Sequence, residues 1–286
     1  MDDASPFVMP ALQPSGPVLM AVPHAGRYYP PSLLAAARVG EEALRPLEDR
    51  FADLLPLAAE AEGHAVIRMP MARAWLDLNR AEDELDSAML GLGRETLAAR
   101  ATAKVRGGLG LIPTRLGGVG TLWKQPLDAA DVRSRIAQGH RPWHEGIGRA
   151  LDSMRARHGQ AVLMDLHSMP PVRAWRGAGP APLVVIGDRH GQSADSRLVA
   201  ALEQEVCSTG LSVSRNHPYP GGYTLERHGR PAEGIHAVQI EIDRALYLDK
   251  AGQQPGPGLA TVQNLVARLA ACAVRHLEEA WPLAAE

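Results

Sequence analysis

The sequence predicts an α/β fold built on a largely parallel sheet, and three observations carry that reading. Short apolar runs ended by polar or turn-forming residues recur along the chain: Pro17–Val22 before Pro23-His24, Ala161–Met164 before Asp165, and Leu183–Ile186 before Gly187. Runs of this kind, without polar alternation, are what strands buried on both faces require. Segments with helical spacing of apolar residues lie between and after them, notably Ser193–Gly210 and Leu259–Trp281. The third observation is size: 286 residues with a 45% hydrophobic fraction supply enough apolar surface for a sizeable core.

Each element follows from its local pattern. Residues 1–16 are Pro-rich and read as an irregular lead-in. After the first strand, Arg27–Pro31 makes a loop and Ser32–Ala37 opens a short helix. Leu47–Glu62 carries apolar residues at 47, 51, 54, 55, 57, 58 and 61, which predicts a helix ended by Gly63. Ala65–Met69 reads as a strand, and Trp75–Arg80 alternates like a half-buried strand or extended edge. Residues 86–124 are Gly-rich and weakly periodic. Their Gly107-Gly108-Leu109-Gly110 and Gly117-Gly118-Val119-Gly120 segments fit neither a P-loop nor a dinucleotide fingerprint. This stretch is expected to be a loop excursion over the sheet that could serve as a lid. Asp128–His158 predicts a helix interrupted at Pro142, Leu211–Ser214 a short extended piece, and Ala237–Ile242 a further strand. No repeat or interior linker is visible, so residues 1–286 are expected to form a single domain.

The formal net charge of −2, without a Lys/Arg block, gives no case for nucleic acid or an anionic membrane as partner. Cys207 and Cys272 cannot make a disulfide framework or a Cys-rich zinc site, and both are expected to be buried thiols in helices. The acidic start Met1-Asp2-Asp3 lacks the basic region of a signal peptide, and no apolar stretch reaches membrane-spanning length. A cytoplasmic location is the default expectation.

The polar residues at strand ends point to chemistry. His24 and His167, 143 residues apart, each follow an apolar run, and open α/β sheets bind ligands beyond the carboxyl ends of their strands. Two imidazoles and a carboxylate make an open metal site with one position left for water or substrate. Taken singly, each histidine is more often an ordinary hydrogen-bonding residue. The acidic partner is open between Glu48 and Asp49, because His-x-x-Glu spacing is absent and Arg27 stands three after His24. Both acids are expected at a helix start, where the dipole also favours them.

Glu241 sits on the opposite strand face from Ile240 and Ile242, and a carboxylate there is costly to bury unless paired or functional. It is a candidate general base, or the partner of Arg244 or Arg73. Arg73, Asn79 and Arg80 could grip a carboxylate, or form surface ion pairs with Glu82, Asp83 or Glu84. His144, His236 and the loop Asn216–Tyr223 are further polar candidates. Ser168 lacks the Gly-x-Ser-x-Gly elbow of a nucleophilic hydrolase.

Eight segments in order, from about residue 17 to 249, resemble the N-formylglutamate amidohydrolase (deformylase) family. They are Val22–Pro30, Glu48-Asp49, Ala72–Arg80 with Glu84-Leu85-Asp86, Pro142-Trp143-His144, Asp165–Pro170, Gly187-Asp188-Arg189, Asn216–Gly222 and Gly234–Arg244. The resemblance implies a three-layer sandwich with a mixed, largely parallel central sheet, similar to zinc carboxypeptidases and aspartoacylases. It implies one zinc ion on His24, His167 and Asp49, with Glu48 as the alternative acidic ligand. It also implies Glu241 as base, Arg73 polarising the amide carbonyl, and Asn79 with Arg80 holding the substrate carboxylate. His144 and Asn216 complete the expected substrate-binding set. Ala25 and Trp143 depart from the commoner serine and tyrosine, and neither change removes a ligand or base.

The expected activity is hydrolysis of a small-molecule N-formyl amino acid, N-formyl-L-glutamate first, to formate and the amino acid. The alternatives are a zinc hydrolase of another N-acyl amino acid or peptide, and a catalytically idle metal- or amino-acid-binding protein.

Overall fold

The computed structural model describes residues 15–90, 99–173, 175, 177 and 179–280. Most of the expected lead-in and residues 91–98 of the expected loop excursion therefore lie outside the described residues. Eight strands are described: β1 Val18–Val22, β2 Ala65–Arg68, β3 Arg115–Leu116, β4 Gly120–Thr121, β5 Ala161–Met169, β6 Val184–Gly187, β7 Val213–Arg215 and β8 Ile235–Asp243. Nine α-helices accompany them: α1 Pro31–Ala36, α2 Glu41–Leu44, α3 Leu57–Ala61, α4 Ala103–Arg106, α5 Ala129–Arg135, α6 Arg141–His158, α7 Ser196–Ser208, α8 Tyr223–His228 and α9 Leu259–Ala280.

Six strands form one sheet in the order β2-β1-β5-β8-β6-β7. Every neighbouring pair is parallel except β6 with β8, so the sheet is mixed and largely parallel. Helices flank both sides, as the apolar runs require. The nine residues of β5 and the nine of β8 are all buried. Their first halves are mainly aliphatic, and their second halves carry Asp165, His167, Ser168, Gln239, Glu241 and Asp243. The sheet thus concentrates buried polarity toward the carboxyl ends of its two central strands.

The chain divides into two compact units. One holds the whole six-stranded sheet, within Ala11–Val22, Arg50–Arg68 and Ile147–Glu286. There α7 begins at an Asp195 cap, whose carboxylate accepts from the Arg197 N–H at 2.7 Å, and left-handed Gly210 lies beyond its end. The 22-residue α9 buries Val262, Leu265, Val266, Leu269, Ala270, Ala273 and Leu277, a stripe of helical period. Cys272 is buried on this helix, whereas Cys207 on α7 is exposed, contrary to the expectation for both thiols.

The other unit includes Pro23–Asp49 and Met69–Gly146. Its segment after His24 runs beside residues 71–72 through the parallel bridges Gly26↔Ala72 and Tyr28↔Met71. A Cβ on Gly26 would lie 2.0 Å from the Met71 carbonyl oxygen, so only glycine permits this approach. Among the described residues of the 86–124 stretch are α4 and the β3-β4 hairpin, which give this region local structure of its own.

Three local expectations change. Leu47–Glu62 is not one helix: Phe51 is left-handed at φ 59°, and Pro56 stands just before α3, which begins only at Leu57. Both features break the i→i−4 ladder that the apolar spacing alone suggests. Trp75–Arg80 is a series of turns rather than a strand, because Asp77 turns inward and accepts from the Asn79 N–H at 2.9 Å. Asp128–His158 is helical from α5 through α6 as expected, but its irregularity is a π-helical turn over Ile136–His140 rather than a break at Pro142. Among the described residues, no helix is long and apolar enough to cross a membrane.

Candidate metal centre

His24 belongs to the unit without the six-stranded sheet, two residues after β1 ends, and its imidazole is 2% exposed. Its Nε2 lies 2.7 Å from Asp77 Oδ1, and its Nδ1 is 3.5 Å from Asp49 Oδ2. Asp77 is fully buried and gathers several groups. Arg73 Nε donates to its Oδ2 at 2.9 Å, Arg73 Nη2 lies 2.8 Å away, and Arg80 Nε is 4.0 Å away. Burial pushes the Asp77 carboxyl up, but the charges of Arg73, His24 and Arg80 outweigh it and hold the group well below the usual carboxylate range. An ionised Asp77 accepts the Nε2 proton of His24, which leaves the lone pair on Nδ1.

The acidic pair divides its contacts. Asp49 faces His24, and its backbone N–H donates to the His24 carbonyl at 2.9 Å. Glu48 Oε1 accepts from the Tyr29 hydroxyl at 2.5 Å. Contrary to the expectation of a helix start, the two acids follow a short 3-10 turn at Arg45–Leu47.

In the sheet-bearing unit, His167 is part of β5 rather than beyond its end. Its Nε2 contacts Asp165 Oδ2 at 2.9 Å, again a buried carboxylate holding one edge of an imidazole. Parallel register sets His167 beside Glu241 and Asp165 beside Gln239. Side chains two apart share a strand face, so these four form one polar block on one side of the sheet. Within it, Gln239 Nε2 donates to Glu241 Oε1 at 2.8 Å.

His24, Asp49 and His167 are all buried, and the ligand atom that each offers lies within 4.8 Å of those of the other two. Two imidazole nitrogens and one carboxylate oxygen form a donor set suited to zinc, with a position left open. The Asp77-His24 and Asp165-His167 contacts supply the outer carboxylates that orient metal-binding imidazoles. The residues therefore fit the metal that the sequence implies.

The remaining expected residues take distinct positions. Asn79 is buried beside the Asp77 carboxylate. Arg80 donates from Nε to the Leu109 carbonyl at 3.0 Å and from Nη1 to its neighbour's carbonyl, that of Asn79, at 2.6 Å. His144 is buried with its Nε2 2.9 Å from the Leu78 carbonyl, under the segment that carries Asn79. Asn216 follows β7, two strands away from β8, and its amide serves a loop. Its Oδ1 accepts from the Asp188 N–H at 2.9 Å, and its Nδ2 donates to Asp188 Oδ1 at 2.5 Å.

Neither Asp77 nor Asp165 is singled out by the sequence patterns. For Asp165 a signal exists: an acid two residues before a histidine on a strand shares its face. For Asp77 the partner is 53 residues away, and no local spacing reveals it.

A model of the family described as N-formylglutamate amidohydrolase matches residues 16–248. The N-formylglutamate deformylase of Pseudomonas putida is 33% identical over 243 residues, covering 82% of this chain and 82% of that protein. The enzyme of the same name from Pseudomonas aeruginosa is 29% identical over 238 residues, covering 82% and 83%. The crystal structure of N-formylglutamate amidohydrolase from Ralstonia eutropha JMP134 superposes with a TM-score of 0.87 at 31% identity, covering 97% of this chain and 100% of that one.

Proposed function

The chain belongs to the N-formylglutamate amidohydrolase family, and from that premise we propose that it is a zinc-dependent hydrolase that converts N-formyl-L-glutamate and water to formate and L-glutamate. The buried His24-Asp49-His167 group is the observation that carries the metal dependence. Those three residues would hold the ion, which when bound supplies a Lewis acid and brings the pKa of water to about 7.

The protein's own groups account for the proton and substrate steps. Glu241, 7% exposed and held by Gln239, takes a proton from the attacking water as the C–O bond forms at the formyl carbon. The same carboxyl then gives that proton to the departing nitrogen as the C–N bond breaks. Asp77 grips Arg73 by Nε and Nη2, which fixes the orientation of the guanidinium that would meet a developing oxyanion. Asn79 and Arg80 would hold the substrate's α-carboxylate, a planar anion that suits a guanidinium and an amide. The Arg80 contacts to two backbone carbonyls pre-set the guanidinium for that task.

Purified protein should contain about one zinc per chain and release formate from N-formyl-L-glutamate, losing activity to a chelator and regaining it with added zinc. Activity on N-acetyl or peptidyl substrates but not formyl ones would reassign the substrate. Zinc uptake with no hydrolysis of any of them would make the protein an idle metal binder. Asn79→Ala and Arg80→Ala should raise KM with a smaller change in kcat, and unaltered substrate saturation in both would refute the carboxylate clamp.

A further inference from the structure

We propose that Tyr29 and Glu48 form a positioning clamp that presents Asp49 to the metal. The inference rests on the zinc reading above and assigns Glu48 a task other than ligation.

Two short segments of one unit meet at this point, His24–Tyr29 and Glu48-Asp49, and they are tied twice. The first tie is through the backbone, from the Asp49 N–H to the His24 carbonyl at 2.9 Å. The second is through side chains, from the Tyr29 hydroxyl to Glu48 Oε1 at 2.5 Å. Glu48 has extended backbone angles, φ −73° and ψ 146°, so its side chain and that of Asp49 leave the chain in different directions. One reaches Tyr29 and the other faces His24 Nδ1 at 3.5 Å.

The clamp is built into the interior. Tyr29 is 7% exposed and Glu48 is 1% exposed. A carboxylate taken that far from water requires donors, and a hydroxyl aimed at it is a strong one. A second-sphere bond that fixes an acidic ligand sets its distance and angle before the metal arrives, and loss of such a bond weakens metal binding by about 10- to 100-fold.

The test is zinc affinity of the full chain, measured by competition with a chromophoric chelator, alongside kcat/KM. Tyr29→Phe keeps the ring and removes the donor. It should bind zinc about 10-fold more weakly and lose activity at limiting zinc, with activity restored at saturating zinc. Glu48→Gln keeps an acceptor oxygen for the Tyr29 hydroxyl and should bind zinc as the parent does, whereas Asp49→Asn should lose the metal. Tyr29→Phe with parental zinc affinity would overturn the clamp. So would loss of zinc in Glu48→Gln with retention in Asp49→Asn, which would make Glu48 the ligand. Both results leave the metal reading standing. A parent chain that takes up no zinc would overturn the metal reading and the clamp together.

Discussion

The two ends of β8 carry polar residues in the same kind of apolar surroundings, and they handle burial in opposite ways. At the amino end, His236 is satisfied by neutral partners: its Nδ1 accepts from the Asp195 N–H at 3.2 Å, and its Nε2 lies 3.0 Å from Gln160 Oε1. That arrangement suits an uncharged imidazole, and burial accordingly pushes its pKa down. Toward the carboxyl end, Glu241 stands beside His167 in register, with Asp165 and Gln239 one step back on the same face. There the strand face gathers ionisable groups in one place, Asp165 against His167 and Glu241 held by Gln239. Polarity matched by neutral partners stabilises a fold, whereas a stack of carboxylates and imidazole is a cost that chemistry must justify.

Three experiments would break or sharpen that contrast. Glu241→Gln has the largest expected effect, a fall in formate release of about 10²- to 10⁴-fold with zinc still bound. Retention of most turnover would show that the carboxyl end of β8 is as structural as the amino end. Asp165→Asn should come next, with zinc affinity about 10- to 100-fold weaker; an unchanged chelator titration would reduce the Asp165-His167 contact to packing. His236→Gln should leave kcat/KM untouched and cost about 1–3 kcal/mol of unfolding free energy.

The sign of the His236 effect with pH is fixed by its depressed pKa. Its stabilising contribution is full above the ordinary value of 6.5 and is lost as the pH falls through the lower folded value. The unfolding free energy of the parent should therefore fall more steeply below pH 6.5 than that of His236→Gln. Equal slopes would remove the neutral-imidazole account.

The sheet was legible because strands buried on both faces must be written as uninterrupted apolar runs, as at Val18–Val22 and Val184–Ile186. His24 and His167 drew notice for the same reason, since each closely follows such a run. What spacing could not show was which turn residues override periodicity. Leu47–Glu62 has the stripe of a helix, yet left-handed Phe51 and Pro56 divide it, and only Pro56 announces itself in the sequence. Trp75–Arg80 alternates like a strand, yet the inward pull of Arg73 and His24 on Asp77 decides its conformation. That choice is made by partners outside the segment. The division between Glu48 and Asp49 was hidden likewise, because it depends on where Tyr29 arrives.

The reversal of β6 against β8 has a consequence for how this scaffold can diversify. β1, β5 and β8 end on the side of Glu241, whereas β6 and its parallel neighbour β7 end on the other. Insertions after β6 and β7 therefore lengthen the chain away from the reacting groups, and those after β1, β5 and β8 remodel their surroundings. Changes in the second set reach the surroundings of Glu241 most directly.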